Sequence, residues 1–485
     1  MSEVYPTLTA LFTDIADAIR ETTEDTDLII ADDFPDVIRD SLQVKSYLTF
    51  KSPNSFTLAV KDSGKHWDGT LEYSNDVSTW STWDGTTVLS SAIKGSSNVL
   101  YLRGTGNTVI TGNNLNYRWV LTGSNIKCIG NIENLLDYAT VQSGNHPTMA
   151  NYCYYNMFQG CTSLAKAPAL PATTLATNCY ADMFSGCTAL THAPALPATT
   201  LATYCYRYMF RDCTSLIHAP ALPATTLADD CYSDMFYGCT SLTQAPALPA
   251  TTLATYCYYN MFRGCTSLIQ APALPATTLA NYCYSDMLHG CTSLTQAPAL
   301  PATTLATYCY YQMFDGCTAL THAPALPATT LADSCYENMF HGCTALTQAP
   351  ALPATTLADD CYRSMFNRCT SLTKAPSELP ATTLANNCYM YMFEFTAITA
   401  IPRIMATTYA TDSCKGMFDD IKTLNVYSRS GPGHEYGWTA PASTYCSGMF
   451  GSDDGESEWA KLDGSNFPNS GTPTEGVTYY FATVD

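Results

Sequence analysis

The sequence predicts an α+β repeat solenoid, preceded by a small β-rich domain and an N-terminal helical segment. Three observations lead there. Cysteines recur at a fixed 26-residue interval through the middle of the chain. Each interval holds an apolar stripe at i, i+4 and i+8, followed by a short apolar run broken by prolines. The first 150 residues lack that interval and pass from two helical patterns to a series of strand-like runs.

Cys153, Cys179, Cys205, Cys231, Cys257, Cys283, Cys309, Cys335 and Cys361 keep the interval; an insertion at 377–380 shifts the next to Cys388, and degraded copies follow at Cys414 and Cys446. A second series sits eight residues later, from Cys161 to Cys369, and only Cys128 lies outside both. Cys153, Met157 and Cys161 share one stripe with Phe158 beside it, which predicts a short helix. The Ala-Pro-Ala-Leu-Pro run that follows predicts a short extended segment pairing with its own copies. A strand-and-helix unit of this length falls in the leucine-rich-repeat range. Twelve units stacked at about 4.8 Å would span about 55–60 Å. Asp212 and Arg368 replace the Gly before the second Cys, so in those units a positive φ is not expected there.

Domain boundaries follow from where the pattern changes. Residues 1–45 form a helical attachment or oligomerisation segment, with Leu8, Leu11, Phe12, Ile15, Ala16 and Ile19 on one face. Residues 46–127 alternate strand-like runs with Gly, Asn and Asp turns and predict a sandwich-like β domain. The solenoid occupies 128–426. Residues 427–485 are a degraded repeat and C-terminal cap, as the exposed last face of a stack requires.

Composition excludes several functions. Formal net charge is −20 with 13% charged residues, so nucleic acid is not a partner. The N-terminus lacks the basic and apolar regions of a secretory signal. No run reaches the roughly 18 apolar residues of a membrane helix. The chain therefore reads as made in a cytoplasm, where a disulfide framework is not expected.

Metal, disulfides and catalysis are the sharp readings of the cysteines, and each meets an obstacle. On a helix, two sulfurs eight residues apart lie about 12 Å apart along the axis, too far for one zinc ion or one disulfide. No histidine accompanies a unique cysteine signature, so the chain reads as non-enzymatic, with no cofactor and no metal. Buried free thiols acting as small hydrophobes fit instead. Cys153, Met157, Phe158, Cys161, Cys179 and Cys187 are thus assigned to a structural core ladder. The acidic string 453–458 lacks the spaced ligands of a calcium loop and reads as a solvated turn.

Variation between copies points to recognition. The two residues after Cys-Tyr change from unit to unit within a Tyr, Asn, Asp, Ser and Arg palette that overlaps that of binding loops. Tyr155, Asn156, Arg207, Tyr208, Tyr259, Asn260, Tyr311, Gln312 and Arg363 are the candidate ligand-recognition residues. The drifting solvent face is the competing reading of the same positions.

At "NMFQGCTSL", "DMFSGCTAL" and "NMFHGCTAL" the unit resembles the BspA-type leucine-rich repeats of bacterial surface proteins. Phe158, Cys161 and Leu164 match that motif, as do their copies through Phe366, Cys369 and Leu372. The stretch "FTDIADAIRETTEDTDLIIADDFPDVIRD" is similar to N-terminal segments of phage and prophage tail-associated proteins, and "WDGTLEYSNDVSTWSTWDGT" with "LYLRGTGNTVITG" resembles a module that precedes such repeats. The second resemblance implies a tail fibre or receptor-binding protein, assembled in the host cytoplasm and placed in the virion tail. Its partners would be a host cell-surface glycan or protein and, through the N-terminus, other tail proteins. A homo-oligomer is expected, a trimer among the options, with no membrane insertion. The first resemblance alone implies the alternative, a bacterial cell-surface adhesin or interaction protein.

Overall fold

The computed structural model describes residues 47–114, 116–451, 460–463, 465–466 and 471–482. The helical segment expected over 1–45 lies outside them, as does the acidic string 453–458.

The N-terminal strands are β1 (Leu48–Ser52), β2 (Thr57–Val60), β3 (Thr70–Ser74), β4 (Ser81–Thr82), β5 (Leu89–Ser90), β6 (Ala92–Lys94), β7 (Ser97–Thr105), β8 (Trp119–Thr122) and β9 (Ile126–Ile129). They are followed by α1 (Asn134–Gln142) and β10 (Leu164–Lys166). One sheet has the order β10-β9-β1-β7-β3-β4 with β6 also on β7, and a second has the order β5-β2-β8. Alternation along β2 and β8 buries Leu58, Val60, Trp119 and Leu121. Trp83 packs at 5.1 Å from Trp67 and 5.5 Å from Trp119.

This domain is also the first face of the stack. Strand β9 lies antiparallel to β1 and parallel to β10, so one sheet crosses from the domain into the first repeat. The N–H groups of Ile110, Trp119 and Ile126 donate to the carbonyls of Cys153, Met157 and Ser163. An open end would leave those carbonyls unpaired.

The repeat unit is not the strand and helix that its spacing suggested. From Tyr152 to Cys161 the backbone is a chain of linked turns. The N–H groups of Tyr155, Met157, Gln159 and Cys161 donate three residues back, to Tyr152, Tyr154, Asn156 and Phe158. The intervening N–H groups of Tyr152, Tyr154, Asn156, Phe158 and Gly160 donate sideways, to Thr177, Cys179, Ala181, Met183 and Ser185 of the next unit. Every fourth residue is left-handed, at φ 60° for Tyr152, 57° for Asn156 and 73° for Gly160. The period is therefore four. Over nine residues it places Cys153, Met157 and Cys161 on one face just as a helix of 3.6 would, which explains the misreading. The extended run is also weaker than expected. Prolines remove ladder donors, and in the regular units only single parallel bridges form, such as His218 to Gln244 and Gln244 to Gln270.

The left-handed requirement also corrects the reading of Asp212 and Arg368. Both adopt the same conformation as the glycines they replace, at φ 57° and 61°. The position imposes its backbone whichever side chain it carries.

Sideways bonding holds each side chain above its copy. Tyr154 through Tyr389 form one buried column with ring centroids 5.6–6.0 Å apart. A phenylalanine column runs beside it from Phe158 to Phe262, breaks at Leu288, and resumes from Phe314 through Phe450 to Phe481. The chain's last described strand thus supplies the ring that closes the column. Cys153, Met157, Phe158, Cys179 and Cys187 are fully buried and Cys161 is nearly so.

All 22 cysteines are free and buried. Thiols of the second series donate to the Phe or Leu carbonyl of the preceding unit, as from Cys187 to Phe158 at 3.1 Å and from Cys317 to Leu288 at 3.1 Å. Burial pushes the Cys213 and Cys291 thiols up to about 12. They stay protonated at neutral pH, as donors and not as nucleophiles.

An aromatic disulfide reagent should find essentially no reactive thiol in the native chain and the full complement of 22 after guanidinium unfolding. Early reaction of one series would show that its column is open. Gly316→Ala should lower stability by about 1 kcal/mol, because L residues are disfavoured at the left-handed φ of 70°. Arg368→Gly should raise stability, since relief of about 1–2 kcal/mol exceeds the exposed contact of about 0.5 kcal/mol that Arg368 makes with the Phe395 ring. Urea midpoints of the two variants check both signs.

Candidate recognition face

Three rows of variable residues run across the units on the turn side of the stack. The first row precedes the first Cys, the second follows Cys-Tyr, and the third follows Met-Phe. Each row is continuous in space because the ribbon keeps every unit in register.

The second row contains the residues singled out by sequence, and the structure divides them. Tyr155, Arg207, Tyr259, Tyr311 and Arg363 are half-buried on this face. Asn156, Tyr208, Asn260 and Gln312 sit one residue further on, at φ 57°, 57°, 53° and 52°. Asn156 is 0% exposed and Asn260 7%, so neither offers its side chain to a partner. Asn and Asp enter the left-handed region more readily than other residues with a Cβ. Their frequency here therefore reflects backbone geometry, and this part of the binding-loop palette is not a recognition signal.

Tyrosine gains no such relief, which makes the first row informative. Tyr256, Tyr282 and Tyr308 occupy left-handed positions at φ 55–56°, each at a cost of about 1–2 kcal/mol. Their rings stack at 4.5 and 4.7 Å, within 13° of parallel. Tyr259 and Tyr311 close the group edge-on, at 5.5 Å from Tyr256 and 5.4 Å from Tyr308. None of these three is among the candidates read from the sequence, because their adjacency exists only between units.

The third row was missed entirely, although its variation is visible in the sequence. It reads Gln159, Ser185, Arg211, Tyr237, Arg263, His289, Asp315, His341, Asn367 and Glu394. Side chains pair between units: Arg263 reaches Asp286 at 2.8 Å and His341 Nδ1 lies 2.8 Å from Asp315. His289 lies 3.3 Å from Asp286 and 3.6 Å from Asp315. Arg207 lies over the rings of Tyr204 and Tyr208 at 5.2 and 4.6 Å, and Arg211 over Tyr208 and Tyr237 at 5.3 and 5.0 Å.

Burial makes this face electrostatically tense. It raises Asp182 and Asp230 to about 6, against the opposing pull of Arg207. Tyr311 is pushed up to about 12 by burial and by the nearby Glu337 and Asp286 carboxylates, so its hydroxyl remains a donor. A separate cavity of about 300 Å³ lies where the N-terminal domain meets the first unit, lined by residues including Glu133, His146 and Thr173. There the buried Glu133 carboxylate is paired with His146 Nδ1 at 2.8 Å.

A pH test follows from Asp182. Its folded pKa lies above the unfolded value of 3.8, so the native state holds a proton that the unfolded chain releases. Stability contributed by that proton is present below pH 4 and is lost as pH rises through about 6. Asp182→Asn should match the wild type in urea midpoint at pH 3.5 and exceed it at pH 7. Equal midpoints at both pH values would show that Asp182 is not penalised.

Among the described residues, no helix is long and apolar enough to cross a membrane. No curated protein matches the chain. A solved structure, that of a leucine-rich repeat protein from Bacteroides ovatus ATCC 8483, is similar at 16% identity; the match covers 62% of this chain and 86% of that one, with a TM-score of 0.33. Residues 133–269, 228–338 and 291–415 match the family described as BspA type leucine rich repeat region, in 6 copies. The stretches likened to tail-associated proteins precede that region. Because the match spans more than half of the sequence, the chain belongs to the BspA-type leucine-rich-repeat family.

Proposed function

We propose that this chain is a non-enzymatic recognition protein of the bacterial cell-surface type, binding a glycan or protein partner through its turn face. The observation that carries the reading is the tyrosine group. Tyr256, Tyr282 and Tyr308 hold backbone conformations that cost stability, and Tyr259 and Tyr311 extend the same patch. The core explains none of these five, because the core tyrosines form a separate column. Family membership favours the surface-protein reading over a virion tail component, which rests on resemblance in stretches outside the matched region.

The test uses the full chain with Tyr155, Tyr208, Tyr259 and Tyr311 replaced together by Ala. All four are half-buried and lie outside the core columns, so the variant should keep its far-UV spectrum and most of its thermal stability. Binding of the labelled protein to whole bacterial cells should fall to background. Undiminished binding by a folded variant would remove the turn face from consideration.

A further inference from the structure

The N-terminal domain carries a motif that neither the stack nor its turn face uses. Trp-Asp-Gly-Thr stands twice, at 67–70 and at 83–86. The two copies come together, and the Trp67 and Trp83 rings lie 5.1 Å apart. Their indole N–H groups differ, however. Trp83 Nε1 donates to the carbonyl of Thr87, four residues on, at 2.9 Å. The corresponding carbonyl of the first copy, that of Leu71, accepts from the Trp83 backbone N–H at 2.8 Å instead. Trp67 Nε1 has no acceptor among the described residues, although the residue is only 3% exposed. A buried indole N–H ordinarily has a partner, and leaving it bare costs stability.

That nitrogen is not sealed off, and Trp67 lines a cavity of about 250 Å³ to which both copies contribute. Lys65, Gly69, Thr70, Thr82, Trp83 and Asp84 complete its walls. The rim is polar and has bonding capacity to spare. Lys65 is exposed and makes no ion pair among the described residues. Asp84 Oδ1 accepts the Thr86 and Thr87 N–H groups, while Oδ2 takes only the Thr86 hydroxyl and has room for another donor. The walls are fixed by close backbone approach. A Cβ on Gly85 would strike the Gly64 carbonyl, and one on Gly69 the Thr105 carbonyl.

We propose that this cavity binds one pyranose ring of a neutral sugar. A simple anion drawn to Lys65 would also meet the Asp84 carboxylate, and a simple cation would meet the reverse conflict. A hydroxyl both donates and accepts, so neighbouring hydroxyls of a sugar satisfy Asp84, Lys65 and Trp67 Nε1 together without carrying charge. The C–H face of the ring suits the indoles beneath. At about 250 Å³ the cavity falls below the range of about 300–1,000 Å³ usual for ligand pockets, so it takes a single ring. The site belongs to the N-terminal domain, and it stands or falls independently of the tyrosine patch.

The experiment titrates the full-length protein with glucose, galactose, mannose and N-acetylglucosamine, followed by saturation-transfer NMR. Sorbitol, glycine and acetate are parallel arms. The expected result is saturable binding of at least one of the four sugars, with the open-chain polyol, the zwitterion and the simple anion much weaker. Trp67→Phe keeps an aromatic ring and removes the N–H, and should weaken that binding about two- to tenfold, as loss of one hydrogen bond does. Lys65→Met, at an exposed position, should weaken it to a similar degree and decides the matter should Trp67→Phe fail to fold. The variant lacking the four turn-face tyrosines should bind the sugar as the wild type does. Absence of saturable sugar binding, binding unaltered in either cavity variant, or loss of binding in the tyrosine variant would each overturn the site. Sorbitol, glycine or acetate binding as tightly as the sugar would overturn its assignment to a pyranose.

Discussion

In the turn ribbon, every second backbone N–H points out of the unit that owns it. A helix would consume those donors internally, and an isolated loop would give them to water. Here they are given to the next unit, from Tyr154 to Cys179 and from Phe158 to Met183. The unit is thus incomplete by construction, as one strand of a sheet is, and its fold exists only as a stack. Both ends then need covering. The N-terminal domain covers one through Ile110, Trp119 and Ile126, and at the other the Phe450 N–H finds the Gly471 carbonyl.

The same bonding fixes what the core can contain. With units locked in register, a residue meets its own copy above and below, so a good residue is one that packs against itself. Tyrosine and phenylalanine do so by offset stacking, each pair worth about 0.5–1.5 kcal/mol beyond its buried area. Cysteine suits the remaining places, being small, apolar and able to give one weak hydrogen bond to a carbonyl of the ribbon. A carboxylate is the poorest choice at a repeated inward place, because it too meets its own kind.

This explains which parts were readable in advance. Composition and period revealed the stack and its columns, since self-packing residues must repeat at the interval of the unit. The helix was misread because Cys153, Met157 and Cys161 fit periods of 4 and 3.6 equally well over so short a span. Backbone conformation at Asp212 and Arg368 was inferred from the side chain, whereas the neighbouring unit's hydrogen bonds impose it. On the face, Asn156 and Asn260 looked like adaptable polar contacts when they are turn residues. Tyr256, Tyr282 and Tyr308 were passed over, because their adjacency exists only between units and no single unit displays it.

Stacking also limits how the tyrosine patch meets a partner. Tyr282 has a ring on each side, at 4.5 and 4.7 Å, so its faces are occupied and its edge and hydroxyl are what remain. Tyr259 and Tyr311 meet the ends of this group in T-shaped contacts and remain half-buried. A partner on the proposed face would meet a row of phenol groups bordered by two rings, with the Arg263 guanidinium already engaged by Asp286. Such a surface is rigid, since each ring is fixed by the next and little side-chain entropy remains to be lost on binding. Any specificity of the proposed face would lie in the order of the units. Exchanging the third-row residue of one unit alters its pairing with the next, so this face can be rewritten without touching the columns beneath it.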